Sequence, residues 1–273
     1  MNNLKRELAP ISTAAWRVID EEARRVLKLN LAGRKLVDFK GPLGPTAAAV
    51  NTGRVEALKS GPVGEVQAAR RQVLPLVELR SDFELDRAEI DAVERGAPDP
   101  ELGPLISAAK RIANAEDTAI FHGYGVAGIE GIDKASPHPA LKIAENYQTY
   151  PRNVAEATRL LRMAGVDGPY AIALGPRCYT GLMQATGDGG YPALNVIRKV
   201  IDGPLIWAPA VNGAIVMSIR GDDFELTIGT DLSIGYQSHT DTSVRLYLIE
   251  SMGFRVLTPE AAVALVYDEG KKS

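Results

Sequence analysis

One cysteine and three scattered histidines in 273 residues leave little material for covalent staples or metal cages. Cys178 cannot form an internal disulfide, and the histidines lack the spacing of a structural zinc site, which fits a reducing compartment and points to the cytoplasm. Excess charge is also missing. Lys plus Arg number 31 against 34 Asp plus Glu, a net charge of -3 that supplies no basic surplus for binding nucleic acid. The opening residues, MNNLKRELAP, lack the apolar centre of a signal peptide, and no apolar run approaches the roughly 18 residues of a membrane span. Neither export nor a membrane partner is therefore expected. Aromatic residues are sparse at 6%, yet 45% of the chain is hydrophobic and 24% charged, the balance of an ordinary folded protein rather than a disordered one.

What is present is patterned. Ser12 is placed to cap a helix predicted to run to Ala32, with Gly33 where a left-handed closing glycine belongs. Trp16, Ile19, Ala23, Val26, Leu27 and Leu31 recur three or four apart, so this helix has one face that must dock. From Gly41 to Arg80 the punctuation GPLGP and GPVGE separates short β-like pieces. The stretch is longer than the loops of roughly 12–15 residues that compact domains tolerate, and it predicts a two-stranded arm supported from outside its own fold. Asp86 followed by Glu89 forms a capping-box-like start for RAEIDAVERG. Leu102, Leu105, Ile106, Ala109, Ile112, Ala113 and Ile120 then mark a longer spine helix ending at Phe121.

Beyond it, helical pieces alternate with the strands YAIAL and PLIWAPA up to Ala210. The last third is β-rich, with strands predicted at AIVMSI, FELTIG, DLSIGY, SVRLYLIE and FRVL. The fold class is α+β with one α/β insertion.

Several motifs suggest chemistry and do not hold it. GYGVAG, from Gly123 to Gly128, matches a dinucleotide fingerprint in letters, but it follows a helix and opens none, so it reads as a flexible connection. Ser238, His239 and Asp241 name a triad, yet neighbouring side chains point apart and triads assemble from distant segments. They read as a polar turn between strands. The acidic run from Asp82 to Glu94 lacks calcium-loop spacing. Glu116 falls on the apolar stripe of the spine helix, where a carboxylate needs an Arg or backbone donors. Cys178 has no evident activating partner. No nucleophile, base and oxyanion donor can be assembled, so no enzymatic activity, metal or cofactor is expected; the enzymatic alternative would place an α/β site near Cys178.

The blocks LKRELAPIS, GRKLVDFKGPLG, LPLVELRSDFELD, IDAVERG, AEDTAIFHGYGVAGIEGI, GGYPALNVI, GTDLSIGYQS and VRLYLIESMGFRVL, in this order, resemble the encapsulins. These are self-assembling nanocompartment shell proteins with the major-capsid fold of tailed phages. The resemblance implies a peripheral domain with an N-terminal helix segment (1–40), an extended arm loop (41–80), the spine helix region (81–123), an α/β axial domain (124–210) and peripheral return strands (211–273). It implies an icosahedral homo-oligomer in multiples of sixty, and cargo enzymes, ferritin-like or dye-decolorising peroxidases, held by a C-terminal targeting peptide. The residues matching the peptide-binding positions are Leu27, Leu31, Arg34, Leu36, Asp38, Asp231, Leu232 and Ile234. Thr186, Gly187, Asp188, Gly189, Gly190 and Tyr191 match the pore-lining loop. Some encapsulins bind flavin on an aromatic side chain, but FELDRAEID offers only Arg87 and Ala88 there, so no flavin is expected. A phage capsid protein would share the fold; the absence of a long scaffolding-like extension before LKREL favours the compartment.

Overall fold

The computed structural model describes residues 3–144, 146–185 and 192–268. Ser12 accepts a hydrogen bond from the Ala15 N–H at 3.2 Å and starts α1 (Thr13–Asn30), which buries Ala15, Ile19, Ala23, Val26 and Leu27 along one stripe. α1 stops before the expected Ala32, because Leu31 leaves the helix with ψ at 95° and the chain enters a 3-10 turn at Gly33–Lys35. Gly33 is accordingly not a left-handed cap. A Cβ there would sit 2.5 Å from Ile120 Cδ1, so glycine is required for close packing instead.

β1 (Asp38–Lys40) follows, then β2 (Ala49–Ala57) and β3 (Ala69–Pro75), which pair only with each other as an antiparallel ribbon. The ribbon exposes Val55 and Val73, and the connection between its strands exposes Leu58, Val63 and Val66. β4 (Val77–Asp86) leads into α2 (Arg87–Glu94), capped by Asp86, whose carboxylate accepts from Ala88 N–H at 2.7 Å. Glu89 does not complete a capping box; it accepts from the Glu101 N–H at 2.9 Å and ties down the segment before α3 (Gly103–Phe121). α4 (Ile132–Ala135), β5 (Leu141–Ile143), α5 (Tyr150–Met163), β6 (Tyr170–Leu174), α6 (Pro176–Gln184), α7 (Ala193–Ile201), β7 (Leu205–Trp207) and β8 (Ala214–Ser218) come next. The chain ends its described course with β9 (Phe224–Ile228), β10 (Ser233–His239), β11 (Ser243–Val256) and β12 (Ala262–Tyr267).

Two five-stranded sheets result. In the first, β11 is the axis: it pairs antiparallel with β4 from Ser243 to Met252, with β10 from Val244 to Ile249 and with β9 from Met252 to Val256. The expected strands SVRLYLIE and FRVL are thus one continuous strand. The second sheet runs β5-β12-β8-β6-β7. All five residues of β6 are buried, so it needs a partner on both edges; β7 supplies one and β8 the other. The return segment from 211 onward is therefore shared between the sheets, with β8 and β12 inside the α/β part rather than among the peripheral strands.

α3 passes through both hydrophobic cores. Leu105, Ala108, Ala109, Ile112 and Ala113 pack with α1, β4 and β10, whereas Ala119, Ile120 and Phe121 pack with the second sheet and β9. Between these sets lie the buried carboxylates Glu116 and Asp117. Asp117 accepts from Ala32 N–H at 2.9 Å and Gly33 N–H at 2.8 Å, satisfying the donors freed where α1 ends. Burial pushes its pKa up to about 7 against the pull of these two N–H groups. We expect Asp117→Ala, which orphans both N–H groups, to cost roughly 2–4 kcal/mol in guanidinium unfolding followed by tryptophan fluorescence.

Candidate functional site: a groove over an arginine hub

Between Ile228, which faces Met252, and Ser233, which faces Ile249, four residues of one strand lie opposite only Glu250 and Ser251. This bulge, Gly229 to Leu232, separates β9 from β10 and lets Asp231 leave the sheet. Gly229 N–H still reaches Ser251 O at 2.8 Å, and Ser251 N–H reaches Thr230 O at 2.9 Å, so the interruption is held in the ladder.

Arg34, in the turn after α1, gathers the carboxylates that these irregularities present. Its Nε lies 2.9 Å from both oxygens of Glu116, and its Nη2 donates to Glu116 Oε2 at 2.6 Å and to Glu250 Oε2 at 2.9 Å. Nη1 donates to Asp231 Oδ1 at 2.7 Å. The Asp231 carboxylate in turn accepts from Leu232 N–H at 2.8 Å. Arginine suits this role because one planar fork addresses several carboxylates at once. Burial works against its charge, but the Glu116 hydrogen bonds and the surrounding carboxylates win and raise its pKa.

Three carboxylates around one guanidinium leave negative charge in excess. Glu116 and Glu250 are both fully buried, and Glu250 Oε1 has no hydrogen-bond partner among the described residues. Burial first, and then the Glu116 charge, push Glu250 well above the ordinary carboxyl range. Burial and the neighbouring charge thus favour the protonated form of Glu250.

Above the hub opens a groove of about 520 Å³ along α1 and β10. Six of the expected peptide-binding residues line it: Leu27, Leu31, Arg34, Asp231, Leu232 and Ile234. Leu36 and Asp38 do not. The 3-10 turn carries Leu36 into the core shared with the second sheet, and the Asp38 carboxylate accepts from Asp222 N–H at 2.6 Å beside a separate cleft. The expected pore residues Thr186, Gly187, Asp188, Gly189, Gly190 and Tyr191 lie outside the described residues.

Sequence spacing missed one wall of the groove. Leu4 and Arg6 from the opening segment, Asp20 from α1 and Leu248 from β11 complete it. Arg6 grips Asp20 through two hydrogen bonds of 3.1 and 2.8 Å and lies 3.9 Å over the Trp16 ring, while Tyr236 N–H donates to Leu4 O at 2.8 Å. The signal was faint: Arg6 and Asp20 are fourteen residues apart, and only the docked helix brings them together.

The other candidates keep their structural roles. Ser238 and His239 close β10, and His239 Nδ1 meets the Tyr236 hydroxyl at 2.6 Å. Cys178 is buried with its Sγ 3.1 Å from the hydroxyls of both Tyr150 and Tyr267, and burial pushes the thiol pKa up. Gly123 to Gly128 forms a short 3-10 loop after α3. Among the described residues, no group of three or more His, Cys, Asp or Glu side chains could hold a metal ion.

Two sheets, a spine helix and a projecting ribbon define a capsid-like shell subunit. The chain aligns with the virus-like particle of Pyrococcus furiosus at a TM-score of 0.64 and 14% identity, covering 91% of this chain and 98% of that one. It aligns with the capsid of Myoviridae phage XM1 at 0.53 and 10% identity, covering 86% and 90%. The fold is therefore that of tailed-phage major capsid proteins. Residues 1–253 match the family described as encapsulating protein for peroxidase, and the chain is 52% identical to the type 1 encapsulin shell protein of Rhodospirillum rubrum over 97% of this chain and 96% of that protein. The chain belongs to this family, the encapsulins, and is a structural shell protein rather than an enzyme.

Because folding raises the Glu250 pKa above its ordinary value of 4.5, its contribution to stability is complete below that value and is lost as pH rises through the raised folded value. Glu250→Gln mimics the protonated group. Denaturation followed as pH rises above 4.5 should show a shallower decline in stability for this variant than for the parent chain.

Proposed function

We propose that copies of this chain close into an icosahedral compartment in the bacterial cytoplasm, with pores for small solutes, and that the groove over Arg34 captures the C-terminal targeting peptide of a cargo enzyme. A ferritin-like protein or a dye-decolorising peroxidase is the cargo this reading favours. The observation that carries it is the groove itself. Leu27, Leu31, Leu232, Ile234 and Leu248 give it apolar lining, Arg6, Asp20, Arg24, Lys28, Arg34 and Asp231 add charge around them, and Arg34 is tied to the buried Glu116 and Glu250. A preformed trough of mixed apolar and charged lining selects an extended peptide by its side chains at little ordering cost to the protein.

The β2–β3 ribbon supports the assembly half of the reading. Its exposed Val55 and Val73 lie opposite Arg71 and Asn51 in the ribbon, and a neighbouring subunit would cover them. Repetition of such contacts over a closed shell turns modest interfaces into a stable particle.

Electron microscopy with mass measurement of the protein expressed alone should give uniform hollow spheres; a small soluble monomer would overturn the assembly reading. Leu31→Asp places a charge in the groove, and cargo recovered with intact shells should fall by about 10- to 100-fold, as expected for roughly 1.4–3 kcal/mol of lost affinity. Leu232→Asp provides the same test from the opposite wall. Full cargo loading in both variants would refute the groove assignment.

A further inference from the structure

The loop after α3 brings together a histidine and a carboxylate outside the groove. His122 is the C-cap of α3, with its side chain 32% exposed. Its Nδ1 lies 2.6 Å from Asp133 Oδ2 on α4, and its Nε2 lies 3.0 Å from Ala210 O, in the turn between β7 and β8. Three parts of the chain therefore meet on one imidazole.

Proton counting fixes the state this geometry requires. The Ala210 carbonyl only accepts, so Nε2 must carry a hydrogen. Nδ1 and the Asp133 carboxyl then need one further proton between them, held as imidazolium and carboxylate or as neutral ring and acid. Without that proton one of the two hydrogen bonds is lost. The second Asp133 oxygen, Oδ1, is already buried with no partner among the described residues, which makes an unneutralised carboxylate there costly.

The local chain is shaped for this meeting. Gly123 adopts φ +82°, Tyr124 N–H donates to Ile129 O at 2.8 Å, and the loop folds back so that Gly131 lies directly against the backbone of His122 and Gly123, where any Cβ would collide. That return places Asp133 beside the ring, within reach of Nδ1. A cavity of about 310 Å³, lined in part by His122, Asp133, Lys142, Asn212 and Tyr267, gives solvent access to the pair.

We propose that His122 is a proton-operated latch: when the pair is protonated it ties the end of the spine helix to α4 and to the Ala208–Val211 turn, and loss of the proton frees that turn and loosens the joint with the second sheet. The charged groups that face the ring are few. Asp133 and Lys134 come from α4 and Lys142 from β5; β12 contributes the Tyr267 hydroxyl, and the turn before β8 offers neutral Asn212. The last turn of α3, Thr118 to Phe121, contributes no charged group.

The hydrogen bond to Asp133 raises the His122 pKa above its ordinary 6.5, against the opposing effects of burial and Lys134. A group whose folded pKa is raised stabilises fully below its ordinary value and loses that contribution as pH rises through the raised one. The latch is therefore closed in mild acid and opens on the alkaline side of 6.5.

The test uses the full chain as purified. Mass spectrometry of C2–H exchange on the His122 ring, between about pH 5 and 9, reads its midpoint, and backbone amide exchange over 205–215, corrected for its intrinsic pH dependence, reads the turn. The proposal expects a midpoint above 6.5 and loss of protection in the turn with the same midpoint. Asp133→Asn should move both midpoints down together. A ring midpoint at or below 6.5, or a turn whose protection ignores the ring's titration, overturns the latch. Should the variant fail to fold, the agreement or disagreement of the two midpoints in the parent chain still decides.

Discussion

A single guanidinium, Arg34, is held by carboxylates from α3, from the bulge between β9 and β10, and from the middle of β11. Each contact lies where a long element crosses from one hydrophobic core to the other. Glu116 follows the last residues of α3 in the first core, and Glu250 separates Leu248 from Met252 on β11. A polar hub at such a crossing is expensive to desolvate, and removing one partner from a buried ion pair costs roughly 3–5 kcal/mol because the rest is left uncompensated. The helix end, the bulge and the long strand are consequently fixed relative to one another by the same few atoms.

The groove inherits its shape from this constraint. Arg34 and Asp231 form its floor, the helix that leads into Arg34 forms one wall, and the strand that leaves the bulge forms the other. The trough can thus stay open without an occupant, because Arg34 is tied to the buried Glu116 and Glu250 below it. The ribbon of β2 and β3 is built on the opposite principle. It has neither a core nor a sheet of its own beyond two strands, and exposes apolar side chains that suit a neighbour.

Much of this was legible in the sequence because it depends on local periodicity. The Ser12 cap, the stripe on α1, the spine helix with Glu116 on its buried face and the arm between glycine-proline clusters all follow from spacing within a few residues. The failures share a different cause. Gly33 looked like a helix cap, but it answers to Ile120, far away in the chain. Glu89 fits a capping box by spacing and instead serves Glu101. Strand β12 was missed and β11 was split in two, since a buried Glu250 followed by Gly253 breaks the local pattern of a strand that tertiary pairing completes. The groove positions came from family resemblance; its third wall, Arg6 on Asp20, depends on docking and carries no local signature. Leu36 and Asp38 match the family pattern by position, but the turn between Gly33 and Lys35 carries them away from the groove.

The most direct test of the hub is backbone hydrogen exchange in Arg34→Lys, which keeps the charge but cannot reproduce the planar fork. If Arg34 couples the crossing points, protection should fall together in three segments, around Asn30 to Leu36, Gly229 to Leu232 and Glu250, while the β2–β3 ribbon is unchanged. Loss confined to the turn that carries residue 34, with the bulge and β11 protected as before, would contradict the account.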